Sequence, residues 1–486
     1  MKFWQTTAVA RQRPKGAGRG AGIDIGTASA SARTGSARDP RGRLVIATLA
    51  ALAIARIWLA TTPGYPPDLN TYKLWSLQAG LHGVQTVYDD RAGAGDLQWR
   101  PGSYDYPPLY AYILAPIGAI YGRIRPGVVR GFEGSRVLGF LVKIPPLVFD
   151  ILIAALIGAV ASRFGSWKGS RSRLGWGAAC LYLMQPAVLF DSGYWGQPDV
   201  IHVFFVLLAL ILILVRKPEW GWVAAALGCL MKPLAAPFLP LLALATLLRS
   251  GPRRLGTGVA AALATGIVVF LPFIVTGRGP AVLQRVLFDV EVMPYTSVNS
   301  HNLWWLLGPW RSSQDPWIGP VNKTIVGLTL FGIAYVFILW RLWKIERGRP
   351  AAPPGPEQTD LAGEDHWFIA AAGVAFSFFF FSTHMHENHL FGAIPFLILL
   401  AHRGRGWTAL ALLVGLVSFI NMANHDLILG NILFATDVPS ALVIPGTTWQ
   451  MPRTMYAIAT ANSIATALLF ALFAWASIRA LRREGT

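Results

Sequence analysis

Residues 198–215 read PDVIHVFFVLLALILILV, and the apolar part of this run can cross the hydrocarbon core of a bilayer, which is about 30 Å thick, as one helix. Runs of similar character recur along the whole chain. Of its 486 residues, 54% are hydrophobic and only 14% are charged, which is too little charge for a water-soluble surface. The sequence therefore predicts an all-α, polytopic membrane protein.

Counting such runs predicts about twelve transmembrane helices. The run 220–248 is too long for one span and is interrupted by Lys232-Pro233, so we expect two short spans that meet near the outer face. The run 109–121 is too short to cross, and we interpret it as a re-entrant or interfacial helix in the first outer loop. The other predicted spans are 44–60, 139–161, 174–190, 198–215, 256–275, 322–341, 366–382, 389–402, 406–423 and 455–479.

The net charge of +18 does not indicate nucleic-acid binding, because the basic residues lie in short clusters between the apolar runs. Such clusters indicate how the chain is oriented in the membrane. Clusters such as those that begin at Arg163 and Arg341 occupy alternate loops, so both termini are predicted to be cytoplasmic. Residues 1–43, rich in Ala, Gly, Ser and Arg, predict a disordered basic cytoplasmic tail. Residues 44–486 are expected to form the transmembrane domain, within which 350–364 predicts a Pro-rich cytoplasmic linker.

Polar residues that membrane insertion does not explain gather on the predicted outer face. Asp68 lies in the loop expected after the first span, and Lys232 lies at the break in the run 220–248. Ionisable groups at membrane depth are costly and usually mark a function. The other polar residues of this face include Asp105, Asp191, Gln197, Asp199, His301, Asn302, His384, His386 and Glu387.

Five motifs occur in order between residues 44 and 402. They are Asp68, Tyr104-Asp105-Tyr106-Pro107-Pro108-Leu109, Tyr194-Trp195-Gly196-Gln197-Pro198-Asp199, Met231-Lys232-Pro233 and His384-Met385-His386-Glu387. This combination resembles the GT-C superfamily of integral-membrane glycosyltransferases. The nearest likeness is to the enzymes that use dolichyl- or polyprenyl-phosphate glucose or mannose, and to their bacterial relatives.

Two positions depart from the family pattern. The family often has an acidic pair in the first loop, whereas Leu69 follows Asp68 here, which argues against a metal site. Bacterial relatives commonly continue the His-Glu motif with Arg-Tyr, whereas this chain has Asn388-His389, so the donor specificity stays open.

The resemblance implies a GT-C-like fold and a hexosyltransferase. The enzyme would move mannose or glucose from a polyprenyl-phosphate sugar to a lipid-linked or cell-envelope glycan, at the extracytoplasmic face of a bacterial plasma membrane. Asp68 would be the general base of a direct displacement with inversion. The donor phosphate or sugar would bind His384, His386, Glu387 and Lys232, and the acceptor or sugar would bind Asp105, Tyr106, Gln197, Asp199, His301 and Asn302.

The expected partners are the lipid-linked sugar donor, the glycan or glycolipid acceptor and membrane lipids, with no nucleic acid. No cofactor and no metal site are predicted, because His384, His386 and His389 lack the i, i+4 spacing of a zinc helix. Loss of transfer on chelation would contradict this.

Two other functions are the alternatives to a glycosyltransferase. A transporter or flippase of a lipid-linked sugar would place ionisable residues near the bilayer midplane and break matching helices in both halves. An envelope polysaccharide polymerase or ligase would carry a long Arg-rich outer loop, and the loop 277–320 is poor in Arg. Each residue also has a simpler interpretation: Asp68 as a helix cap, Tyr106-Pro107-Pro108 as a helix start, and Tyr194 and Trp195 as interfacial aromatic anchors.

Overall fold

The computed structural model describes residues 40–89, 104–125, 131–164, 168–288, 294–349, 361, 363–434, 442–444, 446–448 and 450–483. The chain divides into two compact units, Met1–Ile46 and Ala47–Thr486, and the described part of the first unit is the beginning of one helix. Almost all of the predicted tail 1–43, and the predicted linker 350–364 apart from Leu361, Gly363 and Glu364, lie outside the described residues.

Up to Phe288 the described part of the chain forms helices joined by short turns. Short 3₁₀ segments cover Val84–Tyr88, Phe132–Gly134 and Pro233–Phe238, and π-helical segments cover Leu189–Trp195 and Gln284–Phe288. The α-helices are α1 (Pro40–Ala60), α2 (Pro66–His82), α3 (Leu109–Ile124), α4 (Arg136–Ala161), α5 (Lys168–Leu183), α6 (Pro186–Val188), α7 (Asp199–Leu214), α8 (Pro218–Met231), α9 (Leu239–Val275) and α10 (Gly279–Leu283).

The second half adds more helices and two small β-hairpins. The hairpins pair β1 (Pro316–Ile318) with β2 (Val321–Asn322) and β3 (Leu442–Val443) with β4 (Gln450–Met451), both antiparallel. The α-helices are α11 (Leu303–Leu307), α12 (Lys323–Gly348), α13 (Asp365–Phe381), α14 (Ile394–Leu399), α15 (Arg405–His425), α16 (Leu427–Phe434) and α17 (Arg453–Arg483), and 3₁₀ segments cover His389–Ala393 and Ala401–Arg403.

Six of the described helical segments are long and apolar enough to cross a membrane. They also leave large apolar side chains exposed, such as Leu263 (66%), Val336 (67%) and Leu468 (67%), which is the surface that lipid tails cover. Five more apolar helices are shorter. The six segments are Arg43–Ala60, Arg136–Ala161, Pro233–Val275, Lys323–Gly348, Arg405–His425 and Arg453–Arg482.

The chain breaks at Lys232-Pro233 as expected, because Pro233 supplies no N–H and Lys232 adopts an extended backbone with φ −154° and ψ 135°. A second break follows at Gly251, whose φ of +85° divides Pro233–Val275 into two helical segments. The predicted spans 174–190 and 389–402 are not continuous helices. The first stops before Pro186, and the second contains only the six residues of α14 in α-helical form.

The segment after the first span was expected to be a loop and is instead the helix α2. Pro66 and Pro67 occupy its first positions, where a missing N–H costs nothing. Helix α3 packs closely on it: a Cβ added at Gly118 would lie 1.8 Å from the carbonyl oxygen of Ser76. Tyr121 of α3 donates a hydrogen bond to Ser135 Oγ (2.9 Å), the N-cap residue of α4.

The helices α12 and α13 are antiparallel and define two ends of the bundle. Helix α12 rises about 39 Å over its 26 residues. At its beginning, Thr324 accepts a hydrogen bond from Thr383, and near its end Glu346 contacts His366 of α13. We call the end that holds Lys323 and His384–Glu387 the site end, and the end that holds Glu346 and His366 the basic end.

Candidate functional site

Asp68 lies in the first turn of α2, at the site end. Its Oδ2 accepts hydrogen bonds from Trp195 Nε1 (2.9 Å) and from Gln197 Nε2. Within the described chain both hydrogen bonds go to this one oxygen, which leaves Oδ1 without a hydrogen-bond donor. Burial raises the pKa of Asp68 to about 6, although Trp195 and Lys232 act in the opposite direction. The carboxyl is therefore a base that titrates near neutrality.

Trp195 is the last residue of the π-helical segment Leu189–Trp195, and Gln197 lies in the turn that follows it. Gly196 has φ +84°, and the backbone N–H groups of Gly196 and Gln197 both donate to the carbonyl of Asp191 at 2.9 Å. Tyr72 donates from its hydroxyl to Gln197 Oε1 (2.8 Å), and this directs the amide nitrogen toward Asp68. Gln197 was predicted to bind acceptor or sugar, but here it positions the candidate base. A π-helical turn inside a helix is frequent at functional sites.

Lys232 and Asp199 form a buried ion pair beside this turn. Lys232 Nζ lies 2.5 Å from Asp199 Oδ1 and 5.4 Å from the ring centre of Tyr106, and Asn388 donates to Asp199 Oδ2. Burial lowers the pKa of Lys232, but the nearby Asp199 carboxylate and Tyr106 outweigh it, so the pKa is raised and the ammonium persists. Because Lys232 and Asn388 occupy both oxygens of Asp199, this residue positions the cation more than it offers a ligand site.

Glu387 and His386 lie within electrostatic range of Lys232 and Asp199. We call these four residues together with Asp68 the cleft. Burial and the charge of Asp68 raise the pKa of Glu387 to about 8, so this carboxyl is protonated at neutral pH. Its Oε2 is buried without a hydrogen-bond partner among the described residues, and His386 Nδ1 lies 4.0 Å away. Burial and Lys232 lower the pKa of His386 to about 4, while 39% of its side chain remains exposed in the cleft. A neutral acid and a neutral imidazole thus face the same space.

Asp105 and Tyr106 lie beside Lys232. Asp105 is exposed, and Tyr106 is half-buried with its carbonyl accepting a hydrogen bond from the Tyr88 hydroxyl (2.6 Å). Tyr106 also packs against Tyr72, with ring centres 6.4 Å apart. These contacts are compatible with the predicted role in acceptor binding, and they do not distinguish it from a packing role.

Three of the predicted site residues form hydrogen bonds to residues outside the cleft. His384 has φ +62°, and its Nε2 lies 2.5 Å from Ser313 Oγ, in the loop that precedes β1. His301 Nε2 lies 2.9 Å from His425 Nε2, and Asn462 lies 2.8 Å from His301 Nδ1. Asn302 caps α11 by accepting from the N–H of Trp304 (3.0 Å). Each of these three side chains is bound within the fold, and its role as a ligand of donor or acceptor stays a prediction.

Sequence reasoning assigned no role in the site to four residues that lie beside it. Trp195 and Tyr72 orient the Asp68–Gln197 pair, and Asn388 holds Asp199, at the position where the family pattern has Arg. Asp191 is fully buried, and neither of its carboxyl oxygens has a hydrogen-bond partner among the described residues. Burial, followed by the charge of Asp199, raises its pKa. These residues lie inside or near the quoted motifs, and this position was the only sequence signal that could have pointed to them.

A second acidic cluster lies at the basic end. Ligand atoms of Glu346, Glu364 and His366 come within 4.8 Å of one another, a spacing that a metal ion could bridge. Arg249 Nη2, however, lies 2.8 Å from Glu346 and also contacts Glu364, and Arg349 reaches both carboxylates at 3.3 Å. Because two guanidinium groups already neutralise these carboxylates, we interpret the cluster as an ion-pair network and not as a metal site.

No protein-family model matches the chain, and no curated protein is significantly similar to it. The functional argument therefore depends on the geometry of the cleft. That geometry combines a base that titrates near neutrality, a permanent cation, a neutral carboxylic acid and an imidazole at one end of a helical membrane protein. Such a set can remove a proton from a hydroxyl group and stabilise an anionic leaving group.

Proposed function

We propose that this protein is a GT-C-like membrane glycosyltransferase that moves a hexose, mannose or glucose, from a polyprenyl-phosphate donor to a lipid-linked or cell-envelope glycan. The supporting observation is the group of residues at the site end in which Asp68, held by Trp195 and Gln197, lies within electrostatic range of Lys232 and Glu387. The proposal includes about twelve crossings, with the site end extracytoplasmic and both termini cytoplasmic.

In the proposed reaction the acceptor hydroxyl transfers its proton to Asp68 as its oxygen attacks the anomeric carbon. The bond between that carbon and the phosphate oxygen breaks, and the electron pair leaves with the polyprenyl phosphate. One displacement of this kind inverts the anomeric configuration. Asp68 is suited to the proton transfer because Oδ2 is held by two donors while Oδ1 remains available.

The departing phosphate needs positive charge and hydrogen-bond donors. Lys232 supplies a fixed cation, since it pairs with Asp199, which Asn388 in turn holds in place. Glu387, protonated at neutral pH, and His386 supply hydrogen bonds from the same side of the cleft. In a site sheltered from water such groups act more strongly than in solution, because their dipoles are already oriented.

The carrier alternative predicts ionisable residues within the membrane, and one such pair is present. Arg56 and Asp150 lie within predicted spans, with Arg56 Nε 3.8 Å from Asp150 Oδ2. Lys143, in the same span as Asp150, donates to the carbonyl of Thr62. Asp150 also accepts from Tyr182 (2.9 Å) and Ser192, so its charge is satisfied within the fold. This pattern is that of a structural pair and not of a transport site.

The test is sugar transfer by the purified chain in lipid, with a panel of polyprenyl-phosphate sugars as donors and crude envelope lipid as acceptor. We expect one donor to give product and Asp68→Asn to lower the rate by roughly 10²- to 10⁴-fold, the usual contribution of a positioned base. Asp89→Asn is the matched control, since Asp89 pairs with Arg278 (2.5 Å) away from the cleft.

Transfer by Asp68→Asn at the wild-type rate would refute the assignment of the base. If the wild type transferred no sugar from any donor but moved labelled lipid-linked sugar across the bilayer, the carrier interpretation would replace the proposed one.

A further inference from the structure

A groove of about 330 Å³ lies at the basic end, between the beginning of α15 and the end of α17. It is far from the cleft, because Asp365, which holds Arg403 beside the groove, begins α13, while Glu387 follows the end of that helix. Nothing in the proposed transfer reaction uses it. The lining residues are Arg403, Trp407, Trp475, Ala476, Arg479 and Ala480.

The chemistry of the groove changes along α17. Leu468 and Leu472 are 67% and 47% exposed on the apolar part of the helix, and Trp475 above them is 55% exposed. Arg479 comes one turn later, with its guanidinium 4.6 Å from the ring centre of Trp475. Lipid tails suit the leucine surface, and Trp and Arg are the side chains that anchor helices at the headgroup level.

The groove is built and not merely a gap between helices. Ala476 and Ala480 lie one turn apart and leave the space that larger side chains would fill. Trp407 packs edge-on against Phe473, with ring centres 6.4 Å apart, and forms the wall on the α15 side. Arg403 is held by Asp365 at 2.6 Å, so its position above the groove is set by α13.

From these features we infer that the groove binds one anionic phospholipid of the surrounding bilayer. The acyl chains would lie along Leu468 and Leu472, and the phosphate would accept hydrogen bonds from the Arg479 guanidinium above Trp475. An additional negative headgroup charge is attracted by Arg403 and by Arg405 and Arg482, which are exposed beside the groove. The site is independent of the proposed transferase activity.

The experiment is native mass spectrometry of the full chain, delipidated in detergent and titrated with phosphatidylglycerol or phosphatidylcholine. We expect one phosphatidylglycerol to bind at least tenfold more tightly than phosphatidylcholine, and Arg479→Gln to weaken it by roughly tenfold, since a charge-assisted hydrogen bond is lost. Ala476→Leu, which fills the groove and keeps every charge, should weaken binding as well.

Arg347→Gln is the matched control, because Arg347 also lies over a tryptophan, Trp343 at 4.3 Å, near the end of α12. It should leave binding unchanged. Thermal melting in detergent identifies any variant that fails to fold. If Arg479→Gln or Ala476→Leu fails to fold, the other of the two tests whether the lipid binds in the groove.

Three outcomes would overturn the inference. Equal loss in Arg347→Gln and Arg479→Gln would mean diffuse attraction to basic helix ends. Unchanged binding in a folded Ala476→Leu would place the lipid elsewhere. Displacement of phosphatidylglycerol by inorganic phosphate would mean that a soluble anion, and not a lipid, is the ligand.

Discussion

Buried carboxylates occur at both ends of the helical bundle, but their neutralisation differs. At the basic end Glu346 contacts Arg249, Arg349 and His366 at 2.8, 3.3 and 2.7 Å, and Glu364 shares the same two arginines. At the site end Lys232 pairs with Asp199, and within the described chain Asp68 has no lysine or arginine partner in an ion pair.

The difference separates structural charge from chemical charge. Where cations match carboxylates, the groups are held as ions and join helices across the bundle. Where carboxyl groups outnumber cations, burial raises the pKa, to about 6 for Asp68 and about 8 for Glu387. Such groups can exchange protons near neutral pH, which is what an active site requires.

The largest effect beyond the loss of Asp68 itself is expected for Lys232→Met. It removes the cation proposed for the departing phosphate and leaves Asp199 buried without its ion-pair partner. We expect the transfer rate to fall by about 10²- to 10³-fold, as when one electrostatic donor is removed from a catalytic site. The double variant with Asp199→Asn should recover the melting temperature but not the rate. A rate near that of the wild type would remove Lys232 from the mechanism.

The basic end should respond to Glu346→Gln through stability and not through chemistry. Breaking a buried ion pair costs about 3 kcal/mol, because the arginines lose their partner. The check is thermal unfolding in lipid together with the rate per folded molecule, which should stay within about twofold of the wild type if no transition-state contact is lost. Glu219→Gln is the control, since its partner Arg254 is 60% exposed and such pairs contribute at most about 1 kcal/mol.

If Glu346→Gln reduced the rate of the folded protein as much as Lys232→Met, the distinction between the two ends would fail.

The pH dependence of transfer tests the raised pKa values directly. Asp68 accepts a proton only when ionised, so the rate should fall as the pH drops through about 6. Glu387 donates a hydrogen bond only when protonated, so the rate should also fall as the pH rises through about 8. Rate profiles between pH 4 and pH 10 should therefore be bell-shaped. Glu387→Gln should flatten the alkaline limb alone, and an unchanged alkaline limb would exclude this role.

The smallest effect is expected for Tyr72→Phe. The variant loses the hydroxyl that orients Gln197, so the amide no longer favours the conformation that donates to Asp68. One neutral hydrogen bond corresponds to roughly a threefold to tenfold loss of rate, accompanied by a shift of the acid limb of the pH profile. Tyr112→Phe, which loses a hydrogen bond to the carbonyl of Val269 outside the cleft, should shift neither.

Several features were predictable because they depend on local sequence. The apolar runs predict the long helices, and Lys232-Pro233 predicts the break, since a proline there cannot continue the helix. The quoted motifs also contain Asp68, Gln197 and Glu387, which the fold brings to one cleft.

Other features were not predictable because they depend on contacts between distant segments. A buried asparagine that caps a helix, such as Asn302, has the same sequence signature as one that binds sugar. Arg56 and Asp150 are far apart in the sequence, and only the fold brings their side chains within 3.8 Å of each other. Helix α2 was missed because its aromatic and polar residues carry no clear apolar period.

The sequence alone determined that this chain is a helical protein with segments apolar enough for a membrane, because hydrophobicity and proline act locally and need no partner. The tertiary structure decided which ionisable side chains are paired and which are not. Asp68 and Glu346 are both carboxylates near helix ends, and only the number of cations packed around each one separates a titrating base from a structural ion.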